Sequence, residues 1–228
     1  MASQRILRNL SPSELVYDYE HGVRKCHIFS NALHFRAKHD LITSNNETIR
    51  ECVLDWCKLN SFLRTKISVV SPARTEIDSQ PSRCFSLDRK FVLISPDSLD
   101  VMRNNEIFKN TNWRSFYERE LNREAPLNYD TENNDKLLWR LVLIKTGENQ
   151  NPNGTEFKYC MILTIHHAIT DGRNAFAIML ELIRLFEETM SGIKRTISSL
   201  ADDIPVSLED LIQDKLSNRT ASISTSTS

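Results

Sequence analysis

A chain of 228 residues, 40% hydrophobic and 26% charged, has the make-up of a soluble globular domain and the length to bury a sizeable core. Its 29 basic residues face 30 acidic ones, for a net charge of −1, so no overall field draws it to nucleic acid or to an anionic membrane. The N-terminal MASQRILRNL has no apolar signal core, and no stretch approaches the roughly eighteen apolar residues of a membrane span, which makes the cytoplasm the expected compartment. Five cysteines without CxxC spacing fit reduced, buried thiols better than a disulfide framework or a zinc site.

In chain order, Ser11-Pro12-Ser13-Glu14 opens a short helical stretch, because serine can cap and proline suits a first turn. His27 to Phe35 alternates loosely in polarity, as a half-buried strand does. Ser44-Asn45-Asn46-Glu47 reads as a capping box, and Ile49, Cys52, Val53, Trp56 and Cys57 follow at helical spacing. Leu63 to Val70 and Lys90 to Ile94 read as strands, separated by a polar loop that carries Pro72 and Pro81. Trp113, Phe116, Tyr117 and Leu121 are spaced to share one face of a second amphipathic helix.

Two apolar runs come next, Lys136 to Lys145 and Glu156 to Ile165, joined by the turn-forming TGENQNPNGT. They are expected to pair as an antiparallel hairpin in mid-sheet, with Cys160 in the second strand. Ala175 to Met190 then forms a long helix, apolar around much of its circumference and therefore expected to be well covered, and Gly192 stops it. Residues 201–216 read as a linker with a helical patch from Leu208 to Leu216. The Ser/Thr-rich 217–228 is too polar to fold alone.

The junction of the second hairpin strand with that long helix reads TIHHAITDG, Thr164 to Gly172. Adjacent residues of an extended chain point to opposite sides, so if one of His166 and His167 lines a cleft, the other is directed into the protein. An imidazole, with an unperturbed pKa of about 6.5, is suited to deprotonate an alcohol, amine or thiol attacking an activated carbonyl. Asp171 can accept hydrogen bonds from the first free amides of the helix, and Gly172 offers backbone freedom and leaves room for a cleft. The plainer alternative is a satisfied core histidine beside an ordinary helix cap. Zinc is a third reading, but adjacent histidines diverge and no other His or Cys cluster offers a further ligand, so no metal is expected.

His166-His167-Ala168-Ile169-Thr170-Asp171-Gly172 resembles the HHxxxDG signature of the coenzyme A-dependent acyltransferase superfamily, which includes chloramphenicol acetyltransferase, alcohol acetyltransferases and the condensation domains of nonribosomal peptide synthetases. Asn60-Ser61-Phe62-Leu63-Arg64-Thr65 is similar to that family's "LR" segment, and Lys136-Leu137-Leu138-Trp139-Arg140 to the strand paired with the signature strand. The resemblance runs from about Arg5 to the Leu208–Leu216 patch. It implies an α/β fold of α+β sandwich type: a chloramphenicol acetyltransferase-like half over residues 1–200, with a mixed, mostly antiparallel sheet and helices packed on it.

By the same resemblance, His167 is the general base for direct transfer from an acyl thioester. His166, Asp171 and Gly172 support the loop, Asp171 commonly by pairing with an arginine. Acyl-CoA, or a carrier-bound thioester, is then the co-substrate and a small alcohol or amine the acceptor, with no permanently bound cofactor. Two-domain members hold their reaction channel between two such halves, and this chain corresponds to the first. It is expected to complete the site as a homo-oligomer or with a C-terminal half, or else to act as a catalytically inactive half-domain that binds a partner.

Overall fold

The computed structural model describes residues 4–24, 28–42, 46–69, 89–109, 112–122, 137–152, 154–193 and 197. The loop with Pro72 and Pro81, the Ser44-Asn45 end of the capping box, His27, the 201–216 linker and the 217–228 tail lie outside them. The described elements are β1 (Gln4–Asn9), α1 (Pro12–Arg24), β2 (Ile28–Ala37), α2 (Asn46–Leu59), β3 (Thr65–Val69), β4 (Arg89–Ile94), β5 (Asn105–Lys109), α3 (Trp113–Asn122), β6 (Trp139–Asn151), β7 (Gly154–His166) and α4 (Gly172–Met190).

The strands form two sheets. One is a three-stranded antiparallel sheet ordered β1-β4-β3, and the other is a four-stranded sheet ordered β2-β7-β6-β5. In the larger sheet β7 runs antiparallel to both β2 and β6, and β5 is parallel to β6. This is the mixed, mostly antiparallel architecture with packed helices that the sequence implies. The β6–β7 hairpin is longer than its apolar runs, because pairing continues through the polar TGENQN to Asn151 opposite Gly154. Backbone ladder bonds do not need apolar side chains, so polar residues extend the ribbon as far as Asn151 and Gly154, the latter at φ 119°. Both β1 and β5 escape the polarity pattern, since edge strands with charged residues carry little alternation.

Successive strand residues face opposite sides, and the larger sheet is buried on both. On one side Trp139, Leu141, Leu143, Tyr159, Met161 and Leu163 pack against α2 and α4. The indole N–H of Trp56 donates to the Ile178 carbonyl at 2.8 Å, and that of Trp139 donates to the Leu63 carbonyl at 2.6 Å. The two rings meet edge to face, with centroids 5.3 Å apart. This anchoring explains why the chain forms a 3-10 turn over Ser61–Arg64 before β3 starts at Thr65, rather than extending from Leu63. Arg64 is only 1% exposed, and its guanidinium donates to the carbonyls of Cys57 near the end of α2 and of Ile94 at the end of β4, joining that helix to the smaller sheet.

On the opposite side α3 packs Trp113, Phe116 and Tyr117 over Val142, Ile144, Cys160 and Ile162. Leu121, expected on that face, is 54% exposed, and Glu120 is buried in its stead. Counting seven positions on from Trp113 reaches Glu120, which continues the buried stripe. Arg140 reaches its carboxylate from β6, with Nε at 2.8 Å and a terminal nitrogen at 2.5 Å. Thr164 donates to the same oxygen at 3.4 Å, and its hydroxyl lies 2.8 Å from that of Ser30. An ionised buried carboxylate is tolerable only with such partners, so ion pairing overrode the hydrophobic pattern here.

Glu120→Ala is expected to cost about 3–5 kcal/mol, because it removes the carboxylate that pairs with a buried guanidinium, whereas Glu120→Leu with Arg140→Leu should recover most of the loss. Urea midpoints for the two variants check this. If the double variant is no more stable than the single one, the pair is not what holds α3 on the sheet.

Candidate functional site

β7 is flanked by β2 and β6, so both its edges are paired, and eight consecutive residues up to His166 are buried. The His166 amide donates to the Leu138 carbonyl at 2.9 Å and closes the ladder. The ring of His166 is fully buried, and its Nδ1 accepts the Ala168 amide at 3.0 Å. A ring nitrogen that accepts is unprotonated, so this imidazole is neutral with its proton on Nε2. The Ile169 amide donates to the His166 carbonyl at 3.2 Å, and the chain turns over residues 167–169.

His167 points the other way and is half-buried. Its ring stacks on Tyr17 of α1, with centroids 5.3 Å apart, and lies tilted against Phe29 of β2 at 4.6 Å. Two aromatic walls restrict the ring plane. α1 is set in place by Ser11 and Glu14: the Ser11 amide donates to the Glu14 carboxylate at 2.6 Å, the Glu14 amide meets Ser11 Oγ at 3.4 Å, and Arg8 pairs with Glu14 at 2.7 Å. Leu10 and Leu15 then pack with Ile67, Phe91, Leu138 and Ala168 in a core between the smaller sheet and the histidine turn.

Asp171 has extended backbone and is the N-cap of α4, its carboxylate accepting the Asn174 amide at 2.8 Å. It is exposed, and among the described residues no arginine pairs with it, so the arginine that the resemblance supplies is replaced by the helix's own amides. Gly172 does not adopt positive φ, which among the described glycines occurs at Gly154 and Gly192, so it is not needed for backbone freedom. A Cβ built on it would meet nothing within 4 Å. The space beside it is therefore open. Gly192, at φ 74°, ends the helix as expected, with the amides of Gly192 and Ile193 bonded to the carbonyls of Thr189 and Glu188.

The structure thus brings His166, His167, Asp171 and Gly172 together at one strand end, and adds Tyr17 and Phe29, which the motif does not reveal. Both lie on expected elements, yet nothing local marks them as neighbours of residue 167. The three described thiols lie away from this turn. Cys52, Cys57 and Cys160 are buried, and desolvation raises all three, Cys160 to about 12, so they stay protonated near neutral pH. Among the described residues no three His, Cys, Asp or Glu side chains are grouped to hold a metal ion, and no helix is long and apolar enough to cross a membrane.

No protein-family model matches the chain, and no curated protein matches it by sequence. Among solved structures it is similar to the starter condensation domain of rhizomide synthetase RzmA, at 10% identity and a TM-score of 0.54, over 94% of this chain and 44% of that one. It is also similar to TRI3 trichothecene 15-O-acetyltransferase from Fusarium sporotrichioides, at 14% identity and a TM-score of 0.52, over 97% of this chain and 45% of that one. The fold is therefore that of condensation and acetyltransferase domains, as the HHxxxDG resemblance implies, and the chain spans less than half the length of either structure.

Asp171→Ala should remove the cap and lower stability by about 1 kcal/mol, while Asp171→Asn should retain most of it, because the amide oxygen can still accept. Thermal melting of the two variants beside wild type reads this directly.

Proposed function

We propose that the chain carries the base-bearing half of an acyltransferase, moving an acyl group from a CoA or carrier thioester to an alcohol or amine. The observation that supports this most is the division of labour between the adjacent imidazoles. His166 is buried with Nδ1 committed to the Ala168 amide, whereas His167 stands half-buried at an open turn between Tyr17 and Phe29.

In this reading the neutral ring of His167 takes the proton from the acceptor's O–H or N–H as the acceptor atom attacks the thioester carbonyl. The new C–O or C–N bond forms, the C–S bond breaks, and the proton returns to the leaving thiolate. The products are an ester or amide and a free thiol. Tyr17 and Phe29 hold the ring plane, so that the attacking atom meets the same nitrogen in every turnover. Asp171 fixes the start of α4, and Gly172 leaves the approach clear.

A binding role without turnover is the second reading, favoured by α4. Gly172, Phe176 and Leu180 recur every four residues along it, and Phe176 and Leu180 are 43% and 58% exposed. The helix is thus not covered all round, as its composition had suggested, and it presents an apolar stripe beginning at the histidine turn.

Thiol release from acyl-CoA in the presence of alcohol and amine acceptors tests the first reading. His167→Ala is expected to lower the rate by about 10²–10⁴-fold with an unchanged melting temperature. Equal rates for variant and wild type exclude His167 as the base. The solution mass accompanies this measurement: an inactive monomer supports the binding role, whereas an active oligomer supports a site completed between copies.

A further inference from the structure

The far end of α4 holds a second feature, about 30 Å of strand away from the histidine turn, where the last turns of the helix cross the end of β2 and the start of β7. A cavity of about 260 Å³ lies there. Its wall is apolar, from Phe35, Ala37, Leu41, Ile183, Phe186 and Met190. Phe35 is held flat against Tyr159, with ring centroids 5.3 Å apart and planes 23° apart.

The rim is polar and anchored. Asp40 accepts the Tyr159 hydroxyl at 2.7 Å and the Lys145 ammonium at 2.8 Å, and the Leu41 amide donates to the Tyr159 oxygen at 2.8 Å. These bonds fix Asp40 and Leu41, directly after Lys38 and His39 of the lining. Three basic side chains of the lining, Arg36, Lys38 and His39, face two acidic ones, Glu156 and Glu187. Arg36 and Glu156 neutralise each other at 3.2 Å. Among the described residues neither Lys38 nor His39 has an ion-pair partner, and Glu187 is the remaining acid on the helix side.

We propose that this cavity is a binding site for a compact amphipathic carboxylate. Its apolar body lies against Phe35, Ile183, Phe186 and Met190, and its head group is held by Lys38 and His39. The volume falls just below the roughly 300–1,000 Å³ of sites for drug-sized ligands, so the occupant is smaller than those. Burial of the body supplies the affinity and the basic edge selects the head, with Glu187 disfavouring a second negative charge on the same ligand. The site makes no use of His167 and goes beyond the acyl-transfer reading.

Octanoate titrated into the full ¹⁵N-labelled chain at pH 7 tests this, with octylamine of equal chain length as the opposite head group. The expected result is saturable amide shifts over residues 36–41 and 183–191, and octanoate binding at least about fivefold tighter than octylamine. Lys38→Ala with His39→Ala should weaken octanoate by a similar factor, and Met190→Trp, which fills the cavity, should remove the shifts. Absence of saturation, equal affinity for the two head groups, indifference to both variants, or shifts centred on Phe29 and His167 would each overturn the proposal.

Discussion

A single hydrogen bond, from the Ala168 amide to His166 Nδ1, decides how the central strand ends. β7 is paired on both edges and buried on both faces, so its last residue cannot present a free polar group cheaply. The imidazole at residue 166 satisfies an amide of the departing turn from inside the protein. Once that ring is committed, the chain's alternation sends the next ring to the other side, and the turn between strand and α4 acquires its shape. The chemistry available at residue 167 therefore follows from a packing requirement at residue 166.

The turn sits where the protein's two sheets meet. Ala168 belongs to the smaller core with Leu10, Leu15, Ile67, Phe91 and Leu138, while Ile169 also touches the large core under α2 and α4. Arg64 joins α2 to the smaller sheet, its guanidinium between carbonyls near the end of α2 and at the end of β4. A buried cation near the C-terminal end of a helix also complements the negative end of the helix dipole. Trp139, bonded to the Leu63 carbonyl, ties β6 to that corner. The site is thus carried by two packed sheets rather than by a free loop, which is the condition for holding an imidazole in one orientation.

α4 connects the features of functional interest along one axis. Its N-terminal end is capped by Asp171 and faces open space at Gly172, its outer stripe exposes Phe176 and Leu180, and its last turns line a cavity together with Lys38 and His39. Its inner face, from Ala175 to Phe186, is buried in the large core. A rigid helix packed along one side can therefore support two sites some 27 Å apart by its rise of about 1.5 Å per residue.

Much was legible in the sequence because it depends on short-range periodicity. The spacing of Ile49, Cys52, Val53, Trp56 and Cys57 marks α2, the two apolar runs mark the hairpin, and HHxxxDG marks the strand-to-helix junction with its divergent histidines and capping aspartate. These follow from the two-residue and 3.6-residue repeats, which neighbours along the chain cannot evade. Tertiary structure alone decided the rest. It placed Glu120 rather than Leu121 against the sheet, because Arg140, distant in sequence, lay beneath it. It put Tyr17 and Phe29 around His167, carried the polar end of the hairpin into paired strand, and left half of α4 uncovered. In each case the deciding contact joins residues far apart in the chain, and no local pattern encodes which of them will meet.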